Sequence, residues 1–172
     1  MFLKKIVVCM SLLAISLSGV AQNVYTIYPV PHSQQALGGK VSFTKVVNVV
    51  ADASIDEVTI ARAKDVLTAK GLTVQVGKRA NNKVSNVFLG VALKNGVATA
   101  MAKKWHMETE VFNKVGKFDK HLLCITSNGG KANVMILGEN TDATFCGLAS
   151  LEQILDNGTK NLACVKIEDY AD

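Results

Sequence analysis

The sequence predicts an α+β fold, a two-layer α/β sandwich in which a mixed, mostly antiparallel sheet carries two main helices on one face. Two observations lead to this prediction. Short segments that are rich in valine, or that alternate between apolar and polar residues, recur along the chain and favour strands. Only two well-separated segments, which begin near residues 54 and 142, show strong signals for an amphipathic helix. Strands interrupted by two separate helices indicate one sheet with both helices packed on the same side.

The N-terminal residues 1–21 are typical of a signal peptide. Lys4 and Lys5 form a short basic region before the apolar run at 6–20, and small residues precede the expected cleavage near Ala21. The apolar run is too short for a stable membrane span, which needs about 20 residues. A retained N-terminal anchor is the alternative. We therefore expect export to the periplasm or secretion, and no membrane attachment once the signal has been cleaved.

Residues 22–172 are enough for one domain with its own core. The formal net charge of +5 falls to +3 when the two lysines of the signal are removed. So small and evenly spread a charge gives no reason to expect a nucleic-acid partner. Cys124, Cys146 and Cys164 lie in apolar segments, where a free cysteine behaves as a small buried hydrophobe. We expect buried thiols, although an exported protein could form one disulfide from the three.

The first half of the domain contains an extended segment, several strands and one helix. Residues 25–31 are extended because their two prolines disfavour helix in the residues before them. Residues 41–51 are rich in valine and indicate one long strand or two short ones. Ser54 and Glu57 fit a capping box at the start of the first helix, and Gly71 ends that helix. Further strands are predicted at 72–76 and 86–92.

The second half contains a hairpin, the second long helix and a final strand. Gly129 and Gly130 can take the positive φ of a tight turn between two strands. Asn140 and Asp142 are cap candidates for the helix that follows. Residues 94–119 are the hardest to assign; we expect an irregular segment with a short helix or a piece of strand. The elements predicted here are strands at 122–126, 132–137 and 163–167, a helix at 142–155, a short helix at 97–104 and a strand near 109–112.

No motif for metal binding, nucleophilic catalysis or phosphate binding stands out. His121 and Cys124 are three residues apart, which places them on opposite faces of a strand. There is no Cys-x-x-Cys, no His-Glu-x-x-His and no Gly-x-Ser-x-Gly. The paired glycines lie in turns and do not open a helix, as a phosphate loop would. We therefore expect no metal and no cofactor.

Paired carboxylates are the most serious catalytic candidates, because sugar hydrolysis uses two of them. Glu168, Asp169 and Asp172 cluster near the last strand, and Glu152 lies on the helix before it. Neighbours on a strand point to opposite faces, however, and Glu152 is most simply a solvated or interface residue. We assign no catalytic residue. A sugar-stacking surface and ordinary packing remain alternatives for four aromatic residues: Tyr25, Tyr28, Trp105 and Tyr170.

Three segments resemble a known domain. They are Ile27-Tyr-Pro-Val-Pro31, the helix motif from Gly138 to Leu155, with Thr-Asp-Ala followed by Phe-x-Gly-Leu and Leu-x-Gln, and the ending Val165-Lys-Ile-Glu-Asp-Tyr-Ala-Asp172. Their order and spacing are similar to the domain in front of the catalytic barrel of bacterial β-N-acetylhexosaminidases. That domain occurs in glycoside hydrolase families 20 and 84, which include hyaluronidase-like and O-GlcNAcase-like enzymes.

The resemblance implies a non-catalytic accessory domain that packs against a (β/α)8 barrel, which is expected C-terminal to Asp172. Such a barrel needs about 250 residues, and the parent protein would act on N-acetylhexosaminides. Apolar residues on more than one face of the second helix predict that it is covered on both sides. We expect Gly147 to let this helix lie close to the sheet and Phe145 to fill the gap beside it. The candidate structural or interface residues are Phe145, Gly147, Leu148, Leu151 and Leu155.

Two other functions remain open at the level of sequence. The chain could be a stand-alone periplasmic module that binds amino-sugar glycans or a partner protein. It could also be a small enzyme that uses His121 or the C-terminal carboxylates, so whether the chain is itself an enzyme is left undecided.

Overall fold

The computed structural model describes residues 24–172, and the signal peptide predicted at residues 1–21 lies outside this range. The described residues form one seven-stranded mixed sheet with three α-helices. The strands are β1 (Ser33–Val41), β2 (Val46–Ala51), β3 (Thr73–Val76), β4 (Ser85–Val91), β5 (Phe118–Asn128), β6 (Lys131–Gly138) and β7 (Leu162–Ala171). The helices are α1 (Glu57–Ala69), α2 (Val97–Lys104) and α3 (Thr141–Leu155), with a short 3-10 helix at Glu110–Asn113.

The sheet has the strand order β1-β7-β5-β6-β4-β2-β3. The long strands β1, β7, β5 and β6 pair antiparallel, whereas β6, β4, β2 and β3 pair parallel through shorter registers. The predicted α+β class and the mixed sheet are therefore confirmed. The hairpin between β5 and β6 is also confirmed, since both turn glycines have positive φ, Gly129 at 58° and Gly130 at 80°.

Helices α1 and α3 lie side by side on one face of the sheet, as predicted. Their buried side chains share a core with alternate residues of the strands, such as Leu123, Ile136 and Ile167. The short helix α2 covers part of the opposite face, where it packs on the other set of strand residues, such as Phe88 and Leu122. The sheet is thus apolar on both faces through its centre, which gives the near-continuous apolar runs of β4 to β6. No helix within residues 24–172 is long and apolar enough to cross a membrane.

Strand β1 was not predicted from the sequence. Only a turn at the glycine pair Gly38 and Gly39 was predicted here, but Ser33–Val41 pairs antiparallel with β7 at the edge of the sheet. The two glycines have φ of 77° and 80° and lie where the register shifts between Ala36 and Lys40, so they form a bulge within the strand. Most side chains of an edge strand stay exposed, which removes the apolar alternation on which a prediction depends.

Two local predictions were wrong. The cap of α1 is Asp56, whose side chain accepts a hydrogen bond from the Thr59 N–H at 2.7 Å, and Ser54 lies outside the helix. Serine and aspartate are both favourable N-cap residues, so the sequence is compatible with a helix start after either Ser54 or Asp56. The strand expected near 109–112 is the 3-10 helix, while the short helix at 97–104 is present as α2. For α3 the predicted cap Asn140 is confirmed, because it accepts from the Ala143 N–H at 2.8 Å.

Candidate functional site

The acidic residues that could have formed a catalytic pair each contact a different basic side chain. Glu168 lies 2.8 Å from the Lys166 ammonium on one face of β7. Asp169 lies on the other face, where its carboxylate is 2.9 Å from Nδ1 of His32. Glu152 pairs with Arg62 of α1. The contacts of Asp169 and Glu152 join different parts of the fold, whereas the Lys166–Glu168 pair lies within β7, so these carboxylates do not converge on a shared cleft.

Metal-ligating and nucleophilic groups are also dispersed. No group of three His, Cys, Asp or Glu side chains within residues 24–172 could hold a metal ion. His121 and Cys124 lie on opposite faces of β5, as their spacing predicted, because His121 contacts α3 and Cys124 belongs to the core under α2. Burial raises the pKa of the Cys124 thiol to about 12, so the reactive thiolate does not form at neutral pH.

The three cysteines within the described residues are free thiols. Cys124 and Cys164 are buried, as expected, whereas Cys146 is only half-buried on the outer side of α3. Burial also raises the pKa of the Cys146 thiol, and the nearby carboxylates of Asp119 and Asp142 add to this shift. Cys146 should therefore react slowly with thiol reagents but remain accessible to them, so its alkylation can report whether the outer side of α3 is covered.

Three of the four aromatic candidates pack against other side chains of the domain. Tyr25 is buried and its hydroxyl donates to the Ala163 carbonyl at 2.9 Å. Trp105 meets the ring of Phe88 edge to face, and Tyr170 stacks on His32 with ring centroids 3.6 Å apart. Tyr28 differs, because its side chain is 82% exposed. No row of exposed aromatic rings suited to a sugar chain results from these four positions.

The residues singled out on α3 divide into two groups. Leu148, Leu151 and Leu155 are fully buried in the core between the helices and the sheet. Phe145 is 38% exposed on the outer side of the helix, so the expectation that it fills the gap beside Gly147 was wrong. Residues 145 and 148 are about 60° apart around the helix axis, so Phe145 lies at the margin of the side that Leu148 turns to the sheet.

The gap beside Gly147 is filled from the sheet. A Cβ on Gly147 would lie 2.5 Å from Cγ2 of Ile136 and 3.3 Å from Cδ2 of His121, so the expected close approach of α3 to the sheet is present. The imidazole of His121 occupies the space that had been assigned to Phe145. The sequence contains no local signal for this, because His121 and Gly147 are 26 positions apart.

Phe145 and His121 belong to one groove on the surface. We call it the α3 groove, and its volume is about 270 Å3. It lies between α3, residues 27–29, the start of β5 and the end of β7. The lining residues used below are Tyr28, Pro29, His121, Phe145, Cys146 and Asp169.

His121 lines this groove, but the hydrogen-bond acceptor of its ring is buried. The ring is only 4% exposed, and its Nδ1 lies 3.0 Å from the carbonyl oxygen of Asp119. A carbonyl only accepts, so Nδ1 carries the proton and, in the neutral ring, Nε2 is an acceptor. Nε2 has no hydrogen-bond partner among residues 24–172. A buried acceptor left without a partner costs about 1–3 kcal/mol, which makes His121 the polar group in the groove that most needs explaining.

The backbone around Asp119 is adapted to this arrangement. Asp119 has a φ of 52°, in the left-handed region, and it lies where the pairing of β5 with β7 shifts register between Phe118 and His121. Bulges of this kind redirect side chains at the edges of functional surfaces. Here the bulge turns the Asp119 carbonyl toward His121 and so determines which ring nitrogen is protonated.

A second buried polar group lies at the carboxyl end of β2. Asp52 accepts a hydrogen bond from the Val97 N–H at 2.6 Å and so caps α2 from 45 residues away. Gly90 and Gly96 surround it so closely that a Cβ on either would lie 2.3 Å or less from the carboxylate. Burial raises the pKa of Asp52, while the N–H groups of Val97 and Ala98 oppose the shift. This carboxylate supports the fold, and the sequence analysis did not identify it.

Comparison with known proteins places the domain in a family. Residues 24–170 match the family model described as glycosyl hydrolase family 20, domain 2, and the chain belongs to that family. No curated protein matches the chain. The resemblance inferred from the three sequence segments is thereby confirmed.

The solved structures with a similar fold are parts of longer chains. CpGH84D has 29% identity and a TM-score of 0.76 over 85% of this chain and 24% of that one. CpGH84B has 19% identity and a TM-score of 0.61, with coverage of 84% and 22%. The β-N-acetylhexosaminidase from Bacteroides fragilis NCTC 9343 has 15% identity and a TM-score of 0.55, with coverage of 86% and 25%. The chain thus spans about a quarter of the length of these structures.

Proposed function

We propose that this chain is the non-catalytic domain of an exported glycoside hydrolase that acts on N-acetylhexosaminides, and that it packs against a catalytic (β/α)8 barrel. The observation that supports this most is the match of residues 24–170 to domain 2 of glycosyl hydrolase family 20. The match to CpGH84D, at 29% identity, leaves about three-quarters of that chain outside the matched region. The basic and apolar N-terminus of the chain supports export.

The chemistry of the described residues agrees with a supporting role. The acidic side chains of β7 contact His32 and Lys166, and the cysteines buried in the core are inert thiols. The general acid and the group that activates the substrate would therefore come from the barrel. The domain would stabilise and orient that barrel.

The outer side of α3 is the proposed contact surface with the barrel. Phe145 is exposed there, with the guanidinium of Arg62 6.0 Å from its ring centroid, and the exposed Tyr28 stands across the groove. Val58 of α1 is a further exposed apolar residue on the same helical layer. Exposed apolar residues that cluster on one side are typical of a surface that a partner covers. Helix α3 would then be covered by the sheet on one side and by the barrel on the other.

Alkylation of Cys146 tests whether the barrel packs against the outer side of α3. The 172-residue chain and the same protein extended through its downstream reading frame are treated with a maleimide, and labelled positions are mapped by peptide mass spectrometry. We expect labelling of Cys146 in the short chain and protection in the long one, because the barrel would cover the groove. A Lys83→Cys variant is the matched control, since this exposed residue precedes β4 at the far end of the sheet and should be labelled equally in both.

Two results would contradict the proposal. Equal labelling of Cys146 in the short and long proteins would show that the barrel does not cover α3. A stop codon directly after the codon for Asp172 would remove the barrel itself. In that case a stand-alone module would become the better function, and calorimetry with amino-sugar oligosaccharides would test it.

A further inference from the structure

We propose that the α3 groove receives an arginine side chain of the catalytic domain, and that its guanidinium pairs with Oδ2 of Asp169. The inference rests on the proposed function, because the arginine comes from the barrel. It adds the charge and the shape of the contact, which neither the family match nor the fold specifies.

Asp169 has one carboxylate oxygen that is left for a partner. Its two contacts within the domain both use Oδ1, which accepts from the backbone N–H of His32 at 3.3 Å and lies 2.9 Å from Nδ1 of the same residue. Oδ2 has no hydrogen-bond partner among residues 24–172, and it remains accessible to solvent on a side chain that is 22% exposed. A donor from outside the domain can therefore bind Oδ2 without displacing His32.

The charge of Asp169 acts on the groove. Asp169 lines the groove and shares one face of β7 with the core residue Ile167, so its side chain lies on the side of the sheet that carries α3. Burial raises the pKa of the Cys146 thiol, and three carboxylates raise it further, those of Asp119, Asp142 and Asp169. The wall of the groove on α3 therefore has a negative potential.

No lysine or arginine of the domain lies in the groove to compensate this charge. The lining residues within the described part of the chain include neither residue type. Arg62 is close to the ring of Phe145, but it is already paired with Glu152. A cationic side chain from a partner would thus meet a surface of complementary charge.

The walls of the groove favour arginine over lysine. Gln153 accepts from the Tyr28 N–H at 2.8 Å and donates to the Tyr28 carbonyl at 2.9 Å, which holds the segment with Tyr28 and Pro29 against α3. The Tyr28 side chain is 82% exposed, and no cation of residues 24–172 lies over its ring. A guanidinium is planar, packs on aromatic rings and is more weakly hydrated than an ammonium group. Its apolar stem would pack on Pro29 and Phe145 in a groove of about 270 Å3.

Other occupants fit this groove less well. Asp169 would repel a carboxylate, and a neutral side chain would cover Oδ2 without compensating its charge. No group of three metal-ligating side chains lies within residues 24–172, so Asp169 is not part of a metal site formed by those residues. The groove also lies near the end of β7, so a polypeptide that continues from this strand would start beside it.

Two probes that differ in charge but hardly in shape test the pairing. N-acetyl-arginine methylamide and N-acetyl-citrulline methylamide are titrated separately into the 172-residue chain labelled with 15N. The amide shifts of Cys146, Ala149 and Gln153 are followed by NMR. We expect the arginine probe to bind about fivefold more tightly, since one ion pair at a partly exposed position is worth up to roughly this factor. The preference should decrease as the NaCl concentration rises.

Two neighbouring carboxylates separate this pairing from the general charge of the chain. Asp169→Asn keeps an oxygen that can accept from His32 but removes the charge, so the two probes should then bind equally. Glu168→Gln is the matched control, because Glu168 lies on the other face of β7 beside Lys166 and its substitution changes the net charge by the same amount. In this variant the preference for arginine should remain.

Three results would overturn the proposal. The first is equal binding of the arginine and citrulline probes to the unchanged chain, or a preference that salt does not change, and this result does not depend on how any variant folds. The second is a preference that persists in Asp169→Asn or is lost in Glu168→Gln. The third is binding of N-acetyl-lysine methylamide as tight as that of the arginine probe.

The outcome is independent of the test by alkylation. Protection of Cys146 by the barrel, together with equal binding of the arginine and citrulline probes, would retain the proposed function and overturn the inference about Asp169. A preference for arginine in a protein whose Cys146 stays reactive after extension would leave the groove chemistry intact and overturn the assignment of the occupant to the barrel.

Discussion

Phe145 and Leu148 stand three positions apart on α3 and have opposite environments. Leu148 is fully buried in the core, whereas Phe145 is 38% exposed beside the α3 groove. The sequence pattern puts apolar residues on more than one face of this helix, and a helical wheel shows which residues share a side but not which side meets the sheet. At the scale of single residues, the structure therefore separates a stabilising leucine from a phenylalanine available to a partner.

Alanine substitution should make this difference measurable. Leu148→Ala should lower the free energy of unfolding by about 2–5 kcal/mol, because it leaves a cavity in the core. Phe145→Ala should lower it by about 1 kcal/mol, because the substitution removes only a partly buried ring and its cation–π contact with Arg62. Urea denaturation of both variants measures the two losses. Equal losses would contradict the exposed position of Phe145.

Asp52 shows how one buried carboxylate makes stability depend on pH. Burial raises its folded pKa above the ordinary value of 3.8. The folded chain therefore holds this proton more tightly than the unfolded chain, and the stability contributed by Asp52 falls as the pH rises from about 3.8 through the raised pKa. Asp56 has the opposite shift, because the Thr59 N–H and hydroxyl lower its pKa. Its contribution is present above 3.8 and is lost as the pH falls through the lowered pKa.

Asparagine variants test these signs. The free energy of unfolding of the unchanged chain minus that of Asp52→Asn should decrease as the pH rises above about 3.8. The corresponding difference for Asp56→Asn should decrease as the pH falls, so the two curves should slope in opposite directions. Urea denaturation at a series of pH values provides both curves. Parallel curves would show that the environment of Asp52 is not the buried one described.

At the scale of elements, α3 is defined at both ends by local chemistry and in its position by a distant contact. Asn140 caps its start, and its last turn runs into Asn157 and Gly158, which has a φ of 100°. These are signals that a sequence contains within a few residues. The depth at which the helix sits depends on Gly147, where Ile136 and His121 approach.

Gly147→Ala should therefore destabilise the domain although alanine favours helices. The new Cβ would lie 2.5 Å from Cγ2 of the fully buried Ile136, and overpacking of this kind costs about 1–3 kcal/mol. On an exposed side of the same helix the ordinary order holds, so Ala149→Gly should cost about 0.5–1 kcal/mol. Urea denaturation compares the two. A stabilised Gly147→Ala variant would show that α3 does not lie against the sheet at this depth.

At the scale of the whole molecule, the sheet combines two halves with different connections. In the parallel half, β2 leads to α1 on one face and β4 leads to α2 on the other. Asp52 lies between them and ties the end of β2 to the start of α2. In the antiparallel half, β7 lies between β1 and β5 and ends beside the α3 groove. The surface proposed to meet the barrel is thus the place where the last strand leaves the sheet.

The sequence by itself determined the features that depend on neighbouring residues. The α+β class, the β5–β6 hairpin and the limits of α3 follow from caps, turn glycines and periodicity, which act over a few positions, and three short segments were enough to carry the family resemblance. The tertiary structure decided which side of α3 faces the sheet, that His121 and not Phe145 fills the space beside Gly147, that residues 33–41 form an edge strand, and that Asp52 caps α2. These features depend on contacts between residues that are 26 to more than 100 positions apart. A pattern that spans a few neighbouring residues carries no information about such contacts.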